Sequence, residues 1–130
     1  MNVQFTPMEF RRLLDLVYIG NWIMNSTRGN DRFADYDRLV SKLFGLCPAL
    51  SQQLGGFAIP SAEYREGGIH EVISYYEDNV FFEILAEELS RRDMEYPEIT
   101  EENTDEIASR MDRYMAEFED NGLDRLVLEE

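Results

Sequence analysis

An all-α fold is predicted: a single compact bundle of about five helices around a buried N-terminal helix, with one long Gly-bounded loop. Three observations predict it. Apolar residues recur with a helical period along 7–25, 31–44, 68–92 and 101–120. Capping and stop residues bracket those segments. Between the second and third lies "GGFAIPSAEYREGG", fourteen residues with a glycine pair at each end and no helical period. The length of 130 residues suits one domain spanning 1–130, and 44% hydrophobic residues supply its core.

The first helix opens at Thr6-Pro7-Met8-Glu9, a capping box with proline at the first helical position. It should run to about Asn25, with Gly29 beyond it as a stop. Phe10, Leu14, Val17 and Met24 fall on one side of its wheel, and Leu16, Ile19, Trp22 and Ile23 on the other. A helix apolar all round is expected to be central and buried. Gly20 and Asn21 interrupt this run. Gly20 costs up to about 1 kcal/mol in a helix interior, which the close approach of another backbone would offset. Asn21 lies about 20° from Phe10 on the wheel, so its amide needs partners. Its structural role would be to bind the neighbouring backbone that Gly20 admits. The alternative is a ligand-binding pair of Asn21 with Trp22.

A second helix is expected over Asp31 to Phe44, capped by Asn30 or Asp31, with Phe33, Tyr36, Val40, Leu43 and Phe44 as its stripe. Gly45 and Pro48 end it, and "PALSQQL" can add a short turn. A loop as long as 55–68 is usually functional or disordered. Phe57, Ile59 and Tyr64 would fold it back on the body as a packed flap. A third helix follows from Gly68 with Ile69, Val72, Ile73 and Tyr76 on its stripe, after which the stripe moves round to Phe81, Phe82, Leu85 and Leu89. One straight helix would carry stripes on opposite sides, so a break with Asp78 or Asn79 as cap is expected. In the fourth helix Glu87–Arg91 and Glu88–Arg92 are i,i+4 pairs, and Pro97 closes the segment. The last helix, from Glu101 or Thr104 to Asp120, should bury Ile107, Met111, Met115 and Phe118 before Asn121-Gly122 stops it.

The Tyr-Ile-Gly-Asn-Trp run, "FFEILAEELSRRD" and "EFEDNGLDRL" resemble a group of small, acidic, uncharacterised bacterial proteins. That resemblance covers about a third of the chain. It implies an all-helical fold with a helix start near Asp78, and it implies no activity.

Chemistry-bearing patterns are sparse. His70, the one histidine, has Ser74 four residues after it and Glu66 four before, yet Gly67-Gly68 should place Glu66 outside the helix. A triad is defined by geometry and not by spacing, and a helix-start histidine near solvent is the simpler expectation. A Glu-x-x-His di-iron bundle needs two histidines. Glu98-x-x-Glu101 and Glu117-x-x-Asp120 imitate a carboxylate magnesium site but would flank one rod, some 25–30 Å apart. Glu117, Glu119, Asn121 and Gly122 imitate a calcium loop, but its twelfth position is Leu128 where a bidentate Glu is required. No phosphate-cradling or nucleophile-elbow motif occurs. Cys47 is the lone cysteine, which excludes an intramolecular disulfide. No apolar run reaches the roughly 18 residues of a membrane span, and the first residues lack a secretory pattern. A cytoplasmic protein without cofactor or metal is expected.

Charge is the strongest signal. Residues 1–50 hold six Lys/Arg and five Asp/Glu, a net of +1, while residues 51–130 hold six and twenty-two, a net of −16. Such a balance repels nucleic acid and suits a basic protein partner. The expected role is a non-catalytic interaction module, immunity-like or nucleic-acid-mimic-like, docking through Glu83, Glu87, Glu101, Asp105 and Asp112. The alternative is a small-molecule-binding protein or carboxylate-dependent hydrolase with a pocket under the 55–68 loop. Carboxylates spread over an open face favour the first, and carboxylates converging in a cleft favour a hydrolase.

Overall fold

The computed structural model describes residues 1–129. Helix α1 spans Pro7–Asn25 and α2 Ala34–Phe44. After a turn of 3₁₀ helix at Pro48–Leu50 come strands β1 (Ser51–Leu54) and β2 (Phe57–Pro60). Short α3 (Ala62–Tyr64) and a wide helical turn at Arg65–Ile69 lead into α4 (His70–Asp93), and α5 (Thr104–Asn121) follows. The chain divides into two compact units, Met1–Ile73 and Ser74–Glu130.

This corrects the expected five-helix bundle in two places. The start of the predicted loop is the turn and second strand of an antiparallel hairpin whose first strand is the preceding Ser51–Leu54, with Leu54 paired to Phe57 and Ser51 to Pro60. Gly55 and Gly56 are its two turn residues, at φ +57° and +85°. Positive φ at both central positions matches the right-handed twist of paired strands and is open mainly to glycine. The second correction is α4, which runs unbroken through Asp78 and Asn79. Asn79 does not cap a new helix; its side chain donates to the Tyr75 carbonyl one turn back, at 2.7 Å. The two opposed stripes belong instead to two packing environments. Ile69 and Ile73 are buried within the first unit, and Ala86 and Ser90 within the second, while Ser74 to Asn79 are all exposed.

In the first unit Leu14, Val40, Phe44, Tyr64 and Ile69 form the core, with Phe10, Val17, Tyr18 and Ile19 packed against it. The capping box forms as predicted: Thr6 accepts from the Glu9 N–H at 3.1 Å, and Glu9 from the Thr6 N–H at 3.0 Å. Yet α1 is not buried all round. Only Leu14 and Asn25 are buried on it, and Leu16 and Ile23 stay exposed. The close approach expected at Gly20 is also absent, since nothing lies within 4 Å of where its Cβ would be. It occurs at Gly45, where a Cβ would sit 3.3 Å from the Ala58 Cβ and 3.0 Å from the Ser41 carbonyl oxygen. Ser41 Oγ accepts from the Ala58 N–H at 3.1 Å, which fastens β2 to α2.

In the second unit the small residues Ala86 and Ser90 are fully buried on α4, and Ile107 and Phe118 are buried on α5. Phe82 and Phe118 rings lie 5.4 Å apart. Met111 is half-buried and Met115 exposed; Tyr114 takes the place expected for Met115 on the packed side. Helix α4 ends before Glu95 and Tyr96, two consecutive non-glycine residues at positive φ (61° and 52°) ahead of Pro97. Its expected i,i+4 pairs do not form, because Arg91 turns to Glu88 at 3.5 Å and Arg92 to Asp93 at 2.9 Å. Among the described residues no helix is long and apolar enough to cross a membrane.

Candidate functional site

Two ridges and a hairpin enclose a cleft of about 710 Å³ in the first unit. Tyr18, Trp22 and Ser26 recur every fourth residue along α1, one turn apart, and so line one side. Ala34, Asp37, Arg38 and Ser41 line the facing side from α2, with Val40 beside them, and Leu54 with Phe57 to Pro60 closes the cleft from the hairpin. Cavities of roughly 300–1,000 Å³ hold small organic ligands. Trp22, Phe57 and Leu54 are exposed at 37%, 58% and 63%, so large apolar groups meet solvent here.

The α1–α2 connection holds this cleft open through a network centred on Asn25. Buried completely, Asn25 accepts from the Phe33 N–H at 2.8 Å and donates to the Phe33 carbonyl at 3.2 Å. It also donates to Asn21 Oδ1 at 2.8 Å, and Asn21 donates in turn to Asp37 at 3.1 Å. Arg32 grips both oxygens of Asp37, at 2.8 and 2.9 Å, and Arg32 Nη1 donates to the Asn25 carbonyl at 3.2 Å. The arginine, first, and the two amides hold the Asp37 carboxyl below its ordinary range. This network also explains the late start of α2. Phe33 is pinned in extended backbone by Asn25, and Asp31, expected as a cap, accepts instead from the Gly29 N–H at 3.1 Å. Asn21 lines the cleft beside Trp22, and its hydrogen-bond partners are the Asn25 and Asp37 side chains, not the neighbouring backbone that was expected.

Next to the cleft, His70 Nε2 shares a hydrogen bond of 2.6 Å with the Tyr18 hydroxyl, and its ring meets Trp22 edge-on at 4.8 Å. The histidine expected near solvent is thus half-buried against two aromatics. Burial, opposed by the charge of Arg65, raises the Tyr18 phenol above its ordinary pKa. Tyr64 is no part of the cleft. It is 3% exposed in the core, stacks edge-on with Phe44 at 5.0 Å, and donates to Asp15 at 2.8 Å. Of the three loop candidates, Phe57 and Ile59 line the cleft and Tyr64 anchors the segment beneath.

The acidic candidates lie elsewhere. Glu83 and Glu87 are on α4, Glu101 precedes α5, and Asp105 and Asp112 are on α5; all are exposed except Glu87, which is half-buried. Asp105 and Asp112 are seven residues apart and share the side of α5 opposite Ile107 and Phe118. Among the described residues no three His, Cys, Asp or Glu side chains gather as a metal site. The chain matches no known protein family, no curated relative and no solved structure.

Sequence reasoning placed a pocket beneath residues 55–68 but missed Arg38, Ser26 and Ser41. Their signal was present in the i,i+4 recurrence of 18, 22 and 26 and in the helical spacing of 34, 38 and 41. That signal is masked because the facing surface is a hairpin whose four-residue strands carry no clear alternation.

Proposed function

We propose that the chain is a non-catalytic, cytoplasmic small-molecule-binding protein whose ligand lies between α1, α2 and the hairpin. The observation that carries this reading is the cleft itself, an apolar concavity with few polar groups, at the place where a long glycine-bounded segment folds over the body. Its chemistry supports binding over hydrolysis. Asp37 is the one carboxylate among the lining residues, and both of its oxygens are already held by Arg32. The test uses Trp22, the single tryptophan. Phenylnaphthylamine, a neutral apolar dye, should quench Trp22 emission saturably, and Phe57→Ser should weaken that binding about tenfold, the worth of one buried aromatic contact. A dye that leaves Trp22 unaffected would remove the reading.

A second reading rests on charge. Residues 1–73 hold seven Lys/Arg and eight Asp/Glu, a net of −1, whereas residues 74–130 hold five and nineteen, a net of −14. The division between the compact units is therefore also a division of charge. Glu83, Glu87, Glu101, Asp105 and Asp112 are dispersed over the surface of the acidic unit, the arrangement suited to docking a basic protein. Association with such a partner should slow steeply with added salt and with reversal of Glu83 and Asp105 to Lys. Indifference to both would leave the charge as a matter of solubility.

A further inference from the structure

We infer that the cleft selects a small organic anion with a flat apolar body, an aromatic carboxylate, through Arg38. This rests on the cleft reading above and specifies its ligand. Three charged side chains line the cleft: Arg32, Asp37 and Arg38. Arg32 and Asp37 neutralise each other through two hydrogen bonds and are further tied to Asn25 and Asn21. Arg38 forms no hydrogen bond or ion pair among the described residues, and it is exposed. The lining thus carries one uncommitted positive charge on a chain whose net charge is −15. A guanidinium left free at the edge of an apolar cavity suits a carboxylate that brings its own apolar body.

The remaining groups agree with that choice. Trp22, Tyr18 and Phe57 offer aromatic surface to a planar ring. Ser41 Oγ accepts from Ala58, which leaves its hydroxyl hydrogen free to donate to an anion. Ser26 adds a second hydroxyl on the opposite ridge. A cationic ligand would find no unpaired carboxylate here, because Asp37, the one in the lining, is already held by Arg32 and Asn21. Arginine is suited to the two oxygens of a carboxylate, which it can hold with parallel donors.

Isothermal titration of the whole chain with naphthoate and with naphthalenemethanol tests this, since the two share a ring system and differ in charge. Naphthoate should bind about tenfold more tightly, the expected gain from a charge-assisted hydrogen bond. Raised salt should reduce that advantage. Arg38→Gln should abolish that advantage by weakening naphthoate more than naphthalenemethanol, with the unfolding midpoint unchanged, and Arg38→Glu should make the acid the weaker ligand. Equal affinities, or an unaltered preference in Arg38→Gln, would overturn the anion assignment and leave the cleft reading standing. If neither compound binds, both fall.

Discussion

Asn25 is the most consequential polar residue in the first unit, because its single side chain satisfies both the N–H and the carbonyl of Phe33 and orients Asn21 as well. Removing it strands buried polar groups, each worth about 1–3 kcal/mol. Asn25→Ala should therefore lower unfolding stability by roughly that amount or more, measured by chemical denaturation. Asn21→Leu should cost less, because the Asn25–Phe33 bonds survive. Asp37 supplies a pH signature. Its folded pKa is lowered from 3.8, chiefly by Arg32, so ionised Asp37 favours the folded state. That stability is present above the unfolded pKa and is lost as pH falls through the lower folded value. Asp37→Asn should be destabilised at neutral pH, and the gap from the parent chain should narrow on acidification below about pH 4. A gap that held constant with pH would show that the carboxylate's charge does not contribute.

At the scale of elements the hairpin decides the shape of the cleft, and Gly45 decides where the hairpin sits. A methyl group there would press on Ala58 and the Ser41 carbonyl, and overpacking of this kind costs roughly 1–3 kcal/mol. Gly45→Ala should lower the melting temperature and weaken naphthoate binding together, which thermal melts and titration would show. Preserved affinity would mean that the strand yields without disturbing the cleft. How legible these elements were follows from their physics. Helix α1 and the end of α5 were readable because capping box, proline and Asn-Gly stop are local signals. The hairpin was legible in part: Gly55-Gly56 between Leu54 and Phe57 is a hairpin signal, but its strands of four residues carry no clear alternation. The unbroken α4 was not legible, since its change of stripe reflects which unit packs on it and not a local break. The cleft was readable as a place and not as a residue set, because Arg32 and Asp37 cancel only once the chain has folded.

For the whole molecule, the coincidence of charge and compactness makes Ser74–Glu130 the acidic unit, with four of its five arginines already paired to nearby carboxylates. At pH 7 its surplus charge opposes its own compaction, so added salt should raise its stability more than that of Met1–Ile73. Hydrogen exchange resolved by segment, at low and high salt, would register this; equal responses would show that repulsion is not felt locally. The exposed middle of α4 has a different consequence. Residues 74–79 are all exposed and hold their helix mainly by backbone hydrogen bonds and the one local bond from Asn79 to the Tyr75 carbonyl, with little tertiary burial to support it. Segments of this kind open at low free energy, and Tyr75 and Tyr76 there are 74% and 59% exposed. A chymotrypsin-like protease under native conditions therefore has its preferred first cut at this point, and the chain is severed where its charge changes, into a nearly neutral fragment and a strongly acidic one that an ion-exchange column would separate in a single step.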